Sequence, residues 1–459
     1  MKFGGTSMGS AERIKVAASI CVEQMLKRPV VAVVSAMSKV TDLLLDTLRR
    51  AEAGDDHGLE SNLQLLATRH RECCQDLLEE DSRSAVMVDV EALIGDFARI
   101  SHGVRMLGER PPRSVDEAIA IGERLSALLM AAYLNCSGHP AQAVNGAEVI
   151  VTDAVFGNAT PLMEETRKRA EKFVRPILDR CEIPVITGFN GATVDGRPTT
   201  LGRGGSDFSA SILAAALDAA ELWIWTDVDG IMSADPRSVP NARVLDELTY
   251  NEAAELAYNG AKVLHPRTLA PLIEKQIPVW SKNSFARELP GTRIVPTTKT
   301  TPGPRAVTSM ANVTLISIEP ASAAISGTRI MARALEALAA ANAEVLAFSS
   351  SSYRQSFCFL VRNDELSATL SMLDADLALE LTHGYLKPIE VDQNVGLLAV
   401  VGEGMRGTPG LAGRIFDSIS RQNVNIIAIA QGSSEITISI VVRRDGLERA
   451  IRAVHEECT

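Results

Sequence analysis

Pro29-Val30-Val31-Ala32-Val33-Val34 is a continuous apolar run rich in β-branched residues, the composition of a strand covered on both faces. Such a strand needs helices above and below it. Working outward, Ile183 to Thr187, Glu221 to Trp225 and Gln276 to Trp280 read as further strands. Between them, Ser114 to Leu134 spaces its apolar residues with helical period, and Ser114 with Glu117 three residues on predicts a capping box. From residue 1 to about 295, short β-branched runs alternate in this way with helical patterns. The fold class is therefore α/β, a mostly parallel sheet sandwiched by helices that serve as crossovers.

A composition break follows Ser281-Lys282-Asn283. Residues 288–305 hold Pro290, Gly291, Pro296, Pro302, Gly303 and Pro304 with few apolar residues, which reads as a linker. Beyond it the chain matches itself: Asn312-Val313-Thr314-Leu315 with Asn394-Val395-Gly396-Leu397, Gly327-Thr328 with Gly407-Thr408, and Val361-Arg362 with Val442-Arg443. Each copy reads strand, glycine loop, helix, strand, serine-rich turn, strand, helix. Two α+β modules of about 75 residues are each large enough to fold.

With 459 residues, the chain is too long for one core. Its net charge of −11 leaves no basic surplus for nucleic acid. No run reaches the ~18 unbroken apolar residues of a membrane span, and Met1-Lys2-Phe3-Gly4-Gly5 does not open like a signal peptide. A cytoplasmic protein is expected, with no nucleic-acid or membrane partner. Seven scattered cysteines without a C-x-x-C pair suggest neither a disulfide framework nor a zinc site.

Three glycine-rich segments carry the chemistry. Lys2-Phe3-Gly4-Gly5-Thr6-Ser7 leads into a helix near Ala11, so its backbone N–H groups and the helix end can hold a phosphate; a plain turn is the alternative. In Leu201-Gly202-Arg203-Gly204-Gly205-Ser206-Asp207, an arginine between glycines has little to pack against and is free to bind a carboxylate or phosphate. Asp207 falls in the first turn of the helix that follows. Thr226-Asp227-Val228-Asp229-Gly230-Ile231-Met232 closes a strand, where α/β sheets bind ligands, with Asp235-Pro236-Arg237 just after it. Two other motifs do not count. Gly402 to Gly407 fits G-x-G-x-x-G, but Ile427 stands where a ribose-binding acid is needed. His265 has no partner at ligand spacing and is expected to be structural.

Together these pieces resemble the aspartate kinases of the amino-acid kinase superfamily over nearly the whole chain. Val33-Val34-Ser35-Ala36 with Thr41, Gly122-Glu123-Arg124-Leu125-Ser126, and Gly260 to Pro266 complete the set, in order. Gln431-Gly432-Ser433-Ser434-Glu435 is most similar to the subclass fused, in other proteins, to a homoserine dehydrogenase; no second enzyme is expected here. The resemblance implies a catalytic domain over residues 1–295. It also implies a regulatory domain over 296–459, made of two ACT modules of ferredoxin-like βαββαβ order. These span about 311–385 and 394–459 and are interleaved by a strand from about 304–310.

The implied activity is transfer of the ATP γ-phosphate to L-aspartate, giving 4-phospho-L-aspartate, with Mg²⁺. This is the first step toward lysine, threonine and methionine. Lys2 would contact the phosphoryl group in flight, and Asp207 would order the site. Ser35, Thr41, Glu123, Arg203 and Ser206 would bind aspartate, with Arg203 on the α-carboxylate and Glu123 near the amino group. Gly4, Gly5, Thr6, Ser7, Gly204 and Gly205 would form the phosphate loops, and Thr226, Asp227, Met232, Arg237 and Lys262 would bind nucleotide. No protein side chain is assigned to the metal. A homodimer or dimer of dimers through the ACT modules is implied. Another amino-acid kinase, for example one acting on glutamate, and a weakly catalytic amino-acid sensor are the alternatives.

The sequence departs from the family pattern in several places. Only Met1 precedes Lys2, where an apolar strand is usual, so extra N-terminal residues are expected. Met232 replaces an aromatic ring common in the nucleotide loop. The first repeat, from Glu319 to Gly327, lacks the tight glycine-proline pattern of Gly407-Thr408-Pro409-Gly410, so its effector site is expected to be degraded. By alignment on Asn342 to Val345, Leu346 stands where lysine-inhibited relatives carry an aspartate. Ser349 to Ser352, Gln431, Ser433 and Ser434 offer polar groups suited to threonine. Threonine is accordingly favoured over lysine as effector.

Overall fold

The computed structural model describes residues 1–261, 264–299, 303–321, 325–352 and 355–458. The chain forms two compact units. One comprises residues 1–231, 246–250 and 264–296; the other comprises 232–245, 251–263 and 297–459.

The first unit is built on an eight-stranded sheet. In spatial order its strands are Ala141–Val144, Ile183–Thr187, Ala32–Val34, Lys2–Phe3, Leu222–Thr226, Val279–Asn283, Thr292–Val295 and Glu247–Thr249. The first six run parallel. Ala32–Val34 is wholly buried, as its unbroken apolar run requires. Lys2–Phe3 sits at the sheet's centre between Ala32–Val34 and Leu222–Thr226, and the ladder is extended by Val33 N–H donating to Met1 O at 2.8 Å. The Phe3 ring stacks on Trp225 with centroids 6.4 Å apart.

Several sequence expectations change. The strand expected at Gln276 starts at Val279, because Gln276 is left-handed (φ 53°) and closes the Pro266–Lys275 helix. The strand expected from Glu221 runs Leu222–Thr226, which carries Thr226 to the strand's end. The Ser114–Leu134 helix is two helices, Pro112–Ile119 and Ile121–Cys136, meeting at Ala120. It starts earlier than expected because Pro112 suits a first helical position. Ser114 donates its N–H to Pro111 O inside the first turn, so the capping box is not used. The proline-rich stretch 288–305 is not merely a linker. Thr292–Val295 adds an antiparallel strand to the sheet, and buried Thr292 Oγ1 accepts the Ile231 N–H at 2.7 Å.

The second unit holds a six-stranded antiparallel sheet: Ala347–Ser350, Phe357–Arg362, Ala306–Ile318, Glu390–Val401, Thr437–Arg443 and Ile426–Gln431. Its two long central strands serve both repeats. Residues 306–310 pair with 397–401 in the second repeat, and 315–317 pair with 390–392 in the first, across two register shifts, between Met310 and Val313 and between Val313 and Leu315. Helices Gly327–Ala340 and Leu366–Asp376 close one apolar core, around Ile316, Phe359 and Leu373. Helices Leu411–Arg421 and Leu447–His455 close another, around Leu398, Ile440 and Val454.

Residues 232–245 belong to this second core. Ala234 and Val239 are buried in it, Ser233 Oγ lies 2.8 Å from His455 Nε2, and Arg452 Nε donates to Ser238 O at 2.8 Å. Burial lowers the pKa of His455, with Arg243 adding to the effect.

Candidate active site

Lys2 leaves the central strand buried, and its ammonium lies 2.6 Å from Asp207 Oδ1. Asp207 is in the first turn of the Gly205–Ala216 helix, where a carboxylate complements the positive helix end. Past Lys2 the chain turns through Gly4, whose N–H donates to Trp225 O at 3.1 Å. A Cβ on Gly4 would stand 3.5 Å from both the Lys2 ammonium and the Trp225 carbonyl oxygen. Thr6–Met8 forms a short 3₁₀ turn, and Ser10 caps the Ala11–Met25 helix by accepting the Arg13 N–H. The first glycine motif is thus a compact loop at the carboxyl end of the central strands.

The second glycine motif stands beside it. Gly202 (φ 75°) and Gly204 (φ 71°) are both left-handed and flank Arg203, whose side chain is exposed. Those conformations cost a Cβ-bearing residue about 1–2 kcal/mol, which explains the glycines on either side of the arginine. Ser206 follows in the helix and packs against Gly188, where a Cβ would come within 2.8 Å of the Ser206 Cβ.

Glu123 lies in the first turn of Ile121–Cys136, only 3 % exposed. Its Oε1 accepts the Ala36 N–H at 3.1 Å, while Oε2 is buried without a hydrogen-bond partner among the described residues. Burial pushes its carboxyl up to about 8, opposed by the Ala36 N–H and by the Lys2 charge. A buried acid with a vacant oxygen is equipped to meet an ammonium group. Ser35 follows the Ala32–Val34 strand and donates its N–H to Phe3 O at 3.1 Å, and Thr41 lies in the first turn of Val40–Ala53. Lys2, Glu123, Ser35, Arg203, Ser206 and Asp207 all belong to the first unit.

The nucleotide expectations divide. Thr226 ends its strand, its O accepting the Ser284 N–H at 2.8 Å, and its Oγ1 donates to Asp227 Oδ1 at 3.2 Å. Met232 and Arg237 belong to the second unit, where Arg237 forks onto Asp235. Lys262 lies outside the described residues. The His265 ring caps the Pro266–Lys275 helix by accepting the Arg267 N–H.

Three participants were not singled out from the sequence. Ser284 Oγ meets Ser7 Oγ at 2.7 Å, and Arg13 Nη2 donates to Ser284 O at 2.7 Å while its guanidinium covers Phe285 at 3.5 Å. Asp116 is buried in the Pro112–Ile119 helix. Ser284 and Arg13 carry no local signal. Asp116 does, being an acid on the apolar face of a helix.

In the second unit, Gln431 and Ser433 line a cleft of about 880 Å³ with Thr408, Gly410 and the start of the Leu411–Arg421 helix; Ser434 does not line it. Ser349 and Ser350 line a smaller cleft of about 310 Å³ with Lys387 and Glu319, which pair at 2.8 Å. The helix start of the first repeat is covered from within, because Gln355 Oε1 accepts the Thr328 N–H at 2.9 Å. Leu346 packs with Ala347 against the apolar cluster of Met310, Val313 and Leu315.

The amino acid kinase family matches residues 1–283, and an ACT domain matches 398–458. A bifunctional aspartokinase/homoserine dehydrogenase from Arabidopsis thaliana is 37% identical over 99% of this chain and 50% of its own length. This chain spans about half the length of several such bifunctional relatives. An aspartokinase from Schizosaccharomyces pombe is 31% identical over 99% of this chain and 92% of its own. Among solved structures, Escherichia coli aspartokinase III in complex with aspartate and ADP superposes with a TM-score of 0.85 at 28% identity, covering 99% of this chain and 98% of that one. Aspartate kinase from Clostridium acetobutylicum superposes with a TM-score of 0.80 at 26% identity, covering 100% and 99%. On the match over residues 1–283 and the near full-length likeness to the fission yeast enzyme, this chain belongs to the amino acid kinase family and, within it, to the aspartokinases.

Proposed function

We propose that this chain transfers the γ-phosphoryl group of ATP to the β-carboxylate of L-aspartate, releasing ADP and 4-phospho-L-aspartate. The observation that carries this reading is the Lys2–Asp207 pair set between two glycine loops, with the vacant oxygen of Glu123 in the same unit. The nucleophile needs no general base, since a β-carboxylate with a pKa near ~3.9 is already ionised at neutral pH. The protein's task is alignment and charge stabilisation. Arg203 takes the α-carboxylate and Glu123 the ammonium. Ser35, Thr41 and Ser206 contribute hydroxyls along the substrate.

Lys2 meets the charge that develops on the phosphoryl oxygens, and Asp207 fixes that ammonium in place. The turn at Gly4, beside the Lys2 ammonium, suits a phosphate tail. When bound with the nucleotide, Mg²⁺ would neutralise part of the phosphate charge, and no side chain of this chain is assigned to it. Thr226 and Asp227 hold the nucleoside end, and Met232, Arg237 and Lys262 are further candidates for nucleotide binding.

The reaction is the first step toward lysine, threonine and methionine, in a cytoplasmic enzyme that pairs through its ACT modules. One relative's structure contains lysine with aspartate. For this chain, threonine is the favoured effector, because Leu346 offers no charge to a second ammonium. The deciding experiment measures ADP release with aspartate or glutamate as acceptor, trapping the acyl phosphate with hydroxylamine. Hydroxamate formed from aspartate alone supports the reading, and ADP release that ignores aspartate refutes it.

A further inference from the structure

Asp116 is 2 % exposed and has no cation beside it among the described residues. Burial raises its pKa, against three donors that favour the charged form. Those donors are the Gly157 N–H at 2.8 Å, the Thr200 N–H at 2.9 Å and the Thr200 hydroxyl at 2.8 Å. A buried carboxylate without a counterion is costly, so its retention calls for a return in geometry. The two chain segments it holds identify that return. Thr200 ends the Pro198–Thr200 strand and is two residues from Gly202. Gly157 belongs to the turn that packs on Gly202 from the other side: a Cβ on Gly202 would stand 2.8 Å from Asn158 Oδ1 and 3.1 Å from Gly157 O. One carboxylate therefore pins both walls of the loop that presents Arg203.

The same acid is joined to the other side of the site through its helix. Asp116 and Glu123 lie on the consecutive helices Pro112–Ile119 and Ile121–Cys136, seven positions apart, with only Ala120 between the helices. Fixing Asp116 thus fixes the spacing between the Arg203 loop and Glu123.

We propose that Asp116 is a positioning residue that sets the distance between the groups recognising the two charged ends of an α-amino acid, without touching the substrate. This rests on the roles given above to Arg203 and Glu123. The test is steady-state kinetics on the full chain with Asp116→Ala, Asp116→Asn, Arg203→Ala and the Asp116→Ala/Arg203→Ala double variant. Asp116→Ala should raise the aspartate KM about tenfold or more, with kcat at saturating aspartate and the ATP KM changed by less than about twofold. Asp116→Asn, which keeps an acceptor for the two N–H groups, should recover most of that loss. On the Arg203→Ala background the Asp116 effect should largely vanish, since residues acting through one another are not additive. If Asp116→Ala does not fold, Thr200→Val removes only the hydroxyl donor and should raise the aspartate KM about threefold. Equal losses in kcat and in both KM values, or additivity in the double variant, would overturn the proposal. An Arg203→Ala enzyme with unchanged aspartate KM would overturn the substrate reading and this inference with it. A normal aspartate KM in both Asp116→Ala and Thr200→Val, with Arg203→Ala impaired, would overturn this inference alone.

Discussion

The Lys2 ammonium and the Asp207 carboxylate meet at 2.6 Å, joining the chain's first strand to a helix that starts more than two hundred residues later. The pair is mostly buried, so neither member is a surface ion pair of negligible effect. Removing Lys2 leaves Asp207 without its cation, and removing Asp207 leaves the Lys2 ammonium without its carboxylate.

Lys2 and Arg203 should therefore separate in kinetics. Lys2→Ala should lower kcat with little change in aspartate KM, because the charge it meets develops during transfer. Arg203→Ala should raise aspartate KM by about one to two powers of ten, the equivalent of a charge-assisted contact of roughly 1.5–3 kcal/mol. Steady-state rates over a grid of aspartate and ATP concentrations check both, and the assignment fails if each variant depresses both parameters alike.

Glu123 should give the activity a pH dependence. With its carboxyl raised to about 8, the free enzyme holds it neutral at pH 7, so kcat/KM for aspartate should rise as pH passes through about 8. Glu123→Gln should flatten that rise and weaken aspartate binding. Stability changes in the opposite sense. The unfolded chain releases this proton near the ordinary glutamate value of 4.5, whereas the folded one keeps it to about 8, so the unfolded state binds fewer protons between those values and stability falls with rising pH across that window. Thermal melts from pH 5 to 8.5 should show Glu123→Gln losing less stability than the parent.

The contact between Ser233 and His455 should matter for nucleotide more than for aspartate. Ser233 Oγ accepts the Arg243 N–H at 3.0 Å and meets His455 Nε2 at 2.8 Å, anchoring the segment that carries Met232 and Arg237. Ser233→Ala should raise the ATP KM about threefold to tenfold, as loss of one or two hydrogen bonds allows, and leave the aspartate KM within about twofold. Titration of ATP with tryptophan fluorescence as readout offers an independent check, since the Trp225 indole stacks on Phe3 at the start of the first glycine loop. An ATP affinity indifferent to Ser233→Ala would discard this role.

Effector choice can be read in initial rates at subsaturating aspartate. Lysine alone should inhibit poorly, because an ammonium buried beside Leu346 lacks a partner, at a cost of several kcal/mol. Threonine should inhibit, and Gln431→Ala, which alters the larger cleft, should relieve that inhibition. Strong inhibition by lysine alone would show that Leu346 does not occupy the position aligned to it.

What the sequence settled by itself follows from local physics. A run such as Pro29–Val34 suits a buried strand, an arginine set between glycines at 202 and 204 reads as a free guanidinium in a turn, and the match between residues 312–315 and 394–397 marks a duplicated unit. Several motifs in a fixed order then point to a family. Local pattern could not place groups distant in sequence, because burial and ion pairing depend on what packs opposite. Tertiary structure alone joined Lys2 to Asp207, raised Glu123 by removing water from it, and gathered three donors on Asp116. It also turned part of a proline-rich stretch into the Thr292–Val295 strand and gave residues 232–245 to the second unit's core, through apolar contacts of Ala234 and Val239 that no local periodicity announces.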